Sequence, residues 1–384
     1  MGNAKIIPSF LLEYKMQEPG AVEEISKFDY IDALRGFAII GVIMVHIGQW
    51  IPPDSFLIGA IAQAGKFGVQ LFFVVSAFTL MMSLESRRNI SKKWMLEFFV
   101  RRFFRIAPAF YLAILFYIYV WGTGPSYWAP SGIDTWQVLL TIAFLHGWHV
   151  ESINAVVPGG WSIAAEVMFY ITLPWLYLML RTIHRTAFAL LVSIVLAALL
   201  RIVLKRALHE CYLEPNSYLL SAFLEFFFLT QLPVFLIGIL TFQLAVKCPG
   251  TQSSPAMTMG YSLLVCASAL TAQTTGNLLP QSLLFSVGFC LLVLSLNQNP
   301  IRLMVNPMST FLGKISFSLY LVHFFVIGLF REAEGLEEMR GNLGFLMSFL
   351  IVLAASSAFA FVLYRFVEVP GIALGKRAID YIRG

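Results

Sequence analysis

Apolar residues fill ten stretches of this chain, at about 31–50, 66–84, 104–122, 161–181, 187–205, 223–246, 257–273, 281–297, 310–330 and 343–366, with short polar or charged segments between them. Runs of this length, wound as α-helices at ~1.5 Å per residue, cover the ~30 Å hydrocarbon layer of a bilayer. The pattern predicts an all-α, polytopic transmembrane bundle of about ten spans. Residues 1–30 form an N-terminal segment, 31–370 the membrane domain and 371–384 a short tail. Trp136–Trp148 is apolar but shorter, a length more typical of a re-entrant or interfacial segment.

Composition agrees with the pattern. The 384 residues are 59% hydrophobic and 12% charged, with 35 Phe and a mean hydropathy of +0.78. A soluble chain of this size could not bury so much apolar surface. The first thirty residues contain no continuous apolar core with a small-residue cleavage site, so no secretory signal is expected. Ile6 stands where a myristoylation signal needs Ser or Thr. Cys211, Cys248, Cys266 and Cys290 lie far apart, without the spacing of a disulfide framework or a zinc site. No metal is expected.

Charge position sets direction. With ten spans, 18 of the 26 Lys and Arg fall on the side that holds both termini, seven of them between Arg87 and Arg105. Six (Lys66, Arg201, Lys205, Arg206, Arg331 and Arg340) fall on the other, while Arg35 and Lys314 sit at span ends on the majority side. Positive loops stay cytoplasmic, so both termini are predicted to be cytoplasmic. The basic residues flank spans rather than covering a soluble domain, which argues against a nucleic-acid partner. The partner such a chain does require is the lipid bilayer.

Direction turns sequence position into depth. Arg35 and His46 are eleven residues apart in one run, so they share a helix face and stand ~16 Å apart along its axis. Arg35 lies near the cytoplasmic surface and His46 near the outer end. Glu166 and His323 fall in the same outer layer from two other spans. Ionisable groups within a span are costly and mark pathways or sites. A snorkelling Arg35 and a His46 packed as a polar helix contact are the plainer alternative. Ser162, Glu166 and Tyr170 share one helix face, as do Ser316, Tyr320 and His323. Such stripes also serve as glue between helices. A lone carboxylate at the depth of Glu166 needs a partner, and His46 is the expected one.

Arg101, Arg102 and Arg105 occupy two helical turns before Pro108. Guanidinium groups bind phosphate oxygens through forked donors, although topology and anionic lipid would favour the same residues. Together the features outline an anion-binding cytoplasmic mouth and an acid–base centre near the outer face. This would suit a phosphate-bearing activated donor from the cytosol and a hydroxyl acceptor outside. His46 would take the acceptor's proton and Glu166 would orient the imidazole.

The segment Tyr30-Ile-Asp-Ala-Leu-Arg-Gly-Phe-Ala38, followed by His46, resembles the opening motif of the acyltransferase-3 family of integral-membrane O-acyltransferases. Phe67–Ser76, Arg101–Pro108, Trp161–Tyr170, Gly313–His323 and Tyr364–Pro370 are similar to that family's further landmarks, in the same order. The resemblance implies transfer of an acyl group, usually acetyl from acetyl-CoA, to a hydroxyl of an extracytoplasmic glycan or lipid-linked sugar, at a bacterial inner membrane. Acyl-CoA is then a co-substrate, and no bound cofactor is expected. With the basic cluster, Arg35, Arg101, Arg102 and Arg105 become candidate acyl-CoA contacts and His46 and Glu166 candidate catalytic residues. His323, Tyr320, Ser316, Tyr170 and Gln70 are candidate acceptor or proton-relay positions.

Two departures from the family pattern stand out. Gln70 replaces an Asp common in the second landmark, and Ala77 replaces the Gly that follows its Ser. Some relatives carry an SGNH-type domain after the bundle; residues 371–384 hold none. The competing expectation is a proton-coupled transporter of acyl groups or glycan intermediates. The absence of an evident internal repeat weighs against it. A non-catalytic assembly subunit would leave His46 and Glu166 unexplained. Direct transfer and a covalent acyl-enzyme both remain open, with His46 as base or nucleophile.

Overall fold

A computed structural model describes residues 28–88, 91–213, 215–247, 254–271, 280–332 and 340–383. These residues form fifteen α-helices: α1 (Asp29–Trp50), α2 (Phe56–Ala64), α3 (Gly68–Arg87), α4 (Trp94–Trp121), α5 (Thr135–Ile142), α6 (Gly160–Met179), α7 (Ile183–Leu208), α8 (Ser217–Phe226), α9 (Phe228–Lys247), α10 (Pro255–Thr271), α11 (Gln281–Gln298), α12 (Pro307–Lys314), α13 (Ser316–Glu332), α14 (Gly341–Leu363) and α15 (Val369–Arg383). Eight helices or continuous helix pairs are long and apolar enough to cross a membrane, and the bent pair α12–α13 makes nine. The shorter apolar α10 falls on the remaining run of the hydropathy pattern but is not of span length, so the described residues hold eight to nine such spans where ten were expected. Cys248 and most of the N-terminal segment lie outside the described residues.

The second span begins earlier than the apolar run indicates. α2 continues through a 3-10 turn at Gly65–Phe67 into α3, so Lys66 sits within a helical rod rather than in a loop. Close backbone approach holds this rod on α1. A Cβ on Gly65 would lie 2.1 Å from the Gly41 carbonyl oxygen, and one on Gly68 2.3 Å from that of Ala38.

The ninth span is broken. α12 and α13 meet at 80° around Ile315. α12 starts at a capping box between Asn306 and Ser309 with Pro307 in the first turn. It then lies against α1 at Gly36 and Gly313; a Cβ on Gly313 would fall 1.7 Å from the Asp32 carbonyl oxygen. The corner puts Ser316 at the start of α13, facing the bundle interior.

Trp136–Trp148 does not cross. It folds as the eight-residue α5 and a 3-10 turn at His146–Trp148, too short for a span at ~1.5 Å per residue. His146 is buried there against Phe110 and the Gly160 carbonyl. The replacement Ala77 faces Gly238 of α9, where a Cβ would come within 2.7 Å of the Ala77 Cβ. Gly238 thus keeps this helix contact close despite the larger residue on α3.

At the cytoplasmic end the chain turns back on itself. α14 leads through a π-helical turn, Tyr364–Glu368, into α15, which packs along the first half of α4. Gly371 and Gly375 fit against Phe104 and Pro108. Arg383 pairs with buried Glu97 at 2.6 Å, and Lys93 Nζ donates to the Ile382 carbonyl at 2.6 Å.

Candidate active site

Two connected chambers run through the bundle interior. The lower one, of about 450 Å³, opens among Asp32, Ser86, Arg87, Lys314 and Tyr364. The upper one, of about 100 Å³, is lined by Ser76, Ser162, Glu166, Tyr170, Ser316 and Tyr320. Arg35, Thr79, Arg102 and Arg105 border both, so a single passage leads from the cytoplasmic end past three guanidinium groups.

Each arginine is held differently. Arg35 Nη1 lies 3.1 Å from Asp32 Oδ1, one turn earlier on α1, and Nη2 donates to Thr79 Oγ1 at 3.3 Å. Arg105 Nη1 is 2.6 Å from Glu368 Oε1, and Ser318 donates to the other carboxylate oxygen at 2.8 Å. Glu368 is fully buried while Arg105 keeps 31% of its side chain accessible. The π-helical turn brings this carboxylate into the bundle. Arg102 forms no ion pair within 4.0 Å among the described residues. Its guanidinium lies 6.0 Å from the Phe98 ring centroid and 5.9 Å from that of Tyr170, and its Nε has no hydrogen-bond partner.

Glu166 belongs to this passage and not to His46. Its Oε1 accepts hydrogen bonds from Ser76 at 2.6 Å and from Tyr170 at 2.8 Å. It also lies within electrostatic reach of Arg102. The expected His46–Glu166 pairing is therefore corrected. Depth counted along the chain put the two residues in one layer, but the contacts place Glu166 beside Ser76 and Arg102 at the Arg35 end of α1, eleven residues before His46. The stripe itself holds: Ser162, Glu166 and Tyr170 all line the upper chamber.

The passage stops at a hydrogen-bonded knot. Tyr320 OH donates to the Gly159 carbonyl at 2.9 Å and accepts from Ser162 Oγ at 2.8 Å. Gly159 has φ +75°, and a Cβ there would press on the Tyr320 hydroxyl at 2.8 Å, so both backbone and space require glycine.

Beyond the knot stand two histidines. The ring centroids of His46 and His323 are 5.6 Å apart, and Phe324 packs against both, at 4.5 and 4.2 Å. His323 Nδ1 meets the Tyr320 carbonyl at 2.7 Å. A carbonyl only accepts, so Nδ1 carries the proton and Nε2 is left with a lone pair. That Nε2 is buried without a partner. His46 Nδ1 meets Gln49 Oε1 at 3.1 Å, which likewise leaves its Nε2 as an acceptor.

Two further candidates sit apart from the passage. Arg101 is salt-bridged to Glu97 at 3.3 Å on the α15 side and lines neither chamber. Its position one residue before Arg102 turns it about 100° away. Gln70 is buried and donates to Gln231 Oε1 of α9 at 3.3 Å. Sequence reasoning missed Ser76, Thr79, Glu368, Arg87 and Lys314. All but Arg87 had a readable signal in a polar residue within an apolar run or a motif segment.

The described residues thus form a helical, membrane-type bundle with a cation-lined passage leading toward two imidazoles, and sequence comparison supplies its family. A family model described as an acyltransferase domain matches residues 28–365. This chain belongs to the acyltransferase-3 family. Over 161 residues it is 28% identical to the O-acetyltransferase OatA of Staphylococcus aureus, a match covering 38% of this chain and 24% of that one. A putative acetyltransferase, ORF330 of Acidianus two-tailed virus, is 24% identical over 337 residues, covering 84% of this chain and 88% of its own. The peptidoglycan O-acetyltransferase OatA of Listeria monocytogenes is 33% identical over 90 residues, covering 22% of this chain and 12% of its own. The chain thus matches about a quarter of the length of the staphylococcal relative. No solved structure matches.

Proposed function

We propose that this protein is a membrane O-acyltransferase that draws an acyl group, acetyl, from a CoA thioester on the cytoplasmic side and transfers it to a hydroxyl of an extracytoplasmic glycan. One observation carries the reading: a passage bordered by Arg35, Arg102 and Arg105 begins at the cytoplasmic end and stops one side chain short of the His46–His323 pair. Family membership and the names of the bacterial relatives support acetyl transfer to a hydroxyl. A bacterial inner-membrane location and a surface polysaccharide, peptidoglycan or lipid-linked sugar acceptor belong to the same proposal.

The chemistry follows from the arrangement. The phosphates of the donor replace water around Arg102, the guanidinium without an ion-pair partner, and lie beside Arg105 and Arg35. Glu166, fixed by Ser76 and Tyr170, balances the buried charge of Arg102 and keeps its plane toward the passage. The thioester arm extends along Ser316 toward Tyr320, whose hydroxyl must leave the Gly159 carbonyl for the acyl carbon to reach the histidines. An imidazole Nε2 then takes the acceptor's hydroxyl proton as the oxygen bonds to the acyl carbon. The carbon–sulfur bond breaks, and the proton passes to the departing thiolate. His46, nearer the outer end and the acceptor, is assigned as base. His323 lies beside it with a free lone pair to relay the proton.

The deciding experiment uses the purified full chain in detergent with acetyl-CoA and a glycan acceptor. Covalent acetylation with release of free thiol is expected. Transmembrane flux of acyl groups in vesicles without any acetylated product would establish the transporter reading instead.

A further inference from the structure

An imidazole acts as a base on one nitrogen only when a hydrogen bond at the other fixes its tautomer and its direction. Glu166 is bonded to Ser76 and Tyr170, so for His46 that bond must come from elsewhere. No carboxylate bonds to His46 among the described residues.

His323 shows how the bundle meets this need. Its Nδ1 donates to the carbonyl of Tyr320, three residues earlier on the same helix. His46 uses a side chain for the same purpose: Gln49, three residues later on α1, brings its Oε1 to 3.1 Å from Nδ1. Each ring is thus held at Nδ1 by an acceptor about one helical turn away, and each keeps an Nε2 lone pair for chemistry. Were the Gln49 amide nitrogen to face the ring instead, Nδ1 would accept and the proton would sit on Nε2, leaving His46 no lone pair for a base.

The turn that carries Gln49 is wedged between three other helices. Gly48 faces Ala62 of α2 and Phe345 of α14, where a Cβ would come within 3.3 and 3.5 Å. Trp50 meets Phe330 of α13 edge-on at 5.5 Å. Gln49 itself is exposed, while Phe324 packs against the His46 ring at 4.5 Å. The backbone beneath Gln49 is therefore fixed by packing, and its side chain has room to reach the ring.

We propose that Gln49 is a positioning residue for acyl transfer. It accepts the Nδ1 proton of His46, fixes the ring and its tautomer, and so presents Nε2 to the acceptor hydroxyl. An amide does this without bringing a charge into the contact with His323 and Phe324. The consequence for turnover rests on the acyl-transfer reading; the fixed tautomer does not.

Gln49→Met keeps the length of the side chain and removes the acceptor. At an exposed position it should fold, with an unfolding temperature in detergent close to wild type. Nitrogen NMR of the histidine-labelled full chain in lipid bilayers reads the tautomer without turnover, with His46 identified by the signals lost in His46→Ala. At alkaline pH, where the ring is neutral, wild type should carry its proton on Nδ1, and Gln49→Met should show both tautomers. Steady-state acetylation by Gln49→Met should show kcat lowered about 10–100-fold, with the donor KM unchanged. A wild-type proton on Nε2, or an unchanged His46 spectrum in Gln49→Met, overturns the proposal. So does a changed spectrum with wild-type kcat, because the tautomer would then not matter to turnover. If wild type transfers no acyl group while the spectra behave as expected, the acyl-transfer reading fails, and the Gln49–His46 contact stands without that role.

Discussion

Arg105 and Glu368, 263 residues apart in sequence, meet as a 2.6 Å ion pair where a π-helical turn presses the end of α14 against α4. The carboxylate is wholly buried and the guanidinium borders the donor passage, so one contact both closes the bundle and aims a cation. Removing one member of such a pair strands the other. Glu368→Gln is expected to lower the unfolding temperature in detergent. The double variant with Arg105→Ala should lose less than the sum of the singles, with a coupling of ~0.5–3 kcal/mol. Additive losses would show that the pair is not a functional unit.

Donor binding separates neighbouring arginines. Arg102→Ala and Arg105→Ala each remove charge-assisted contacts worth ~1.5–3 kcal/mol, so the donor KM should rise about tenfold or more in each. Arg101→Ala, which loses only its bridge to Glu97, should leave the donor KM near wild type. Steady-state kinetics with varied acetyl-CoA provide the measurement. Equal KM effects at 101 and 102 would contradict the placement of the passage.

Glu166 gives a second discrimination. Because its carboxylate bonds to Ser76 and Tyr170 beside Arg102, Glu166→Gln should act chiefly on donor KM. A variant of an imidazole-orienting residue would instead lower kcat with KM intact. The split between the two constants decides the role.

His46→Ala is expected to cost ~10²–10⁴-fold in kcat while leaving donor binding in place. His323→Ala should give a comparable loss, and the double variant should be little worse than either single, since residues acting as a unit are non-additive. Near wild-type acetylation by His46→Ala would pass the base role to His323.

Topology can be read from a native residue. Cys211 is exposed at the outer end of α7, so a membrane-impermeant maleimide should label it in intact cells and fail on Cys211→Ser. A cysteine placed at Lys92 should react only after permeabilisation. The reverse pattern would invert the bundle and move the α7 cations inside.

The sequence alone marked the apolar spans of an all-α membrane bundle and the stripe that lines the upper chamber. Each of these depends on hydropathy, charge and a 3.6-residue period, which act locally along the chain. What it could not supply was how far one helix slides and turns relative to another. Glu166 sits with Ser76 and Arg102 toward the Arg35 end of α1 rather than at the depth of His46, and His323 stands beside His46 instead. The 80° break between α12 and α13 likewise arises where Gly36 and Gly313 let two backbones touch. The turn that delivers Glu368 to Arg105 has its partner on a helix more than 250 residues away. Helix packing decides such pairings through the shapes of both surfaces at once, so only the tertiary structure could reveal which polar groups meet.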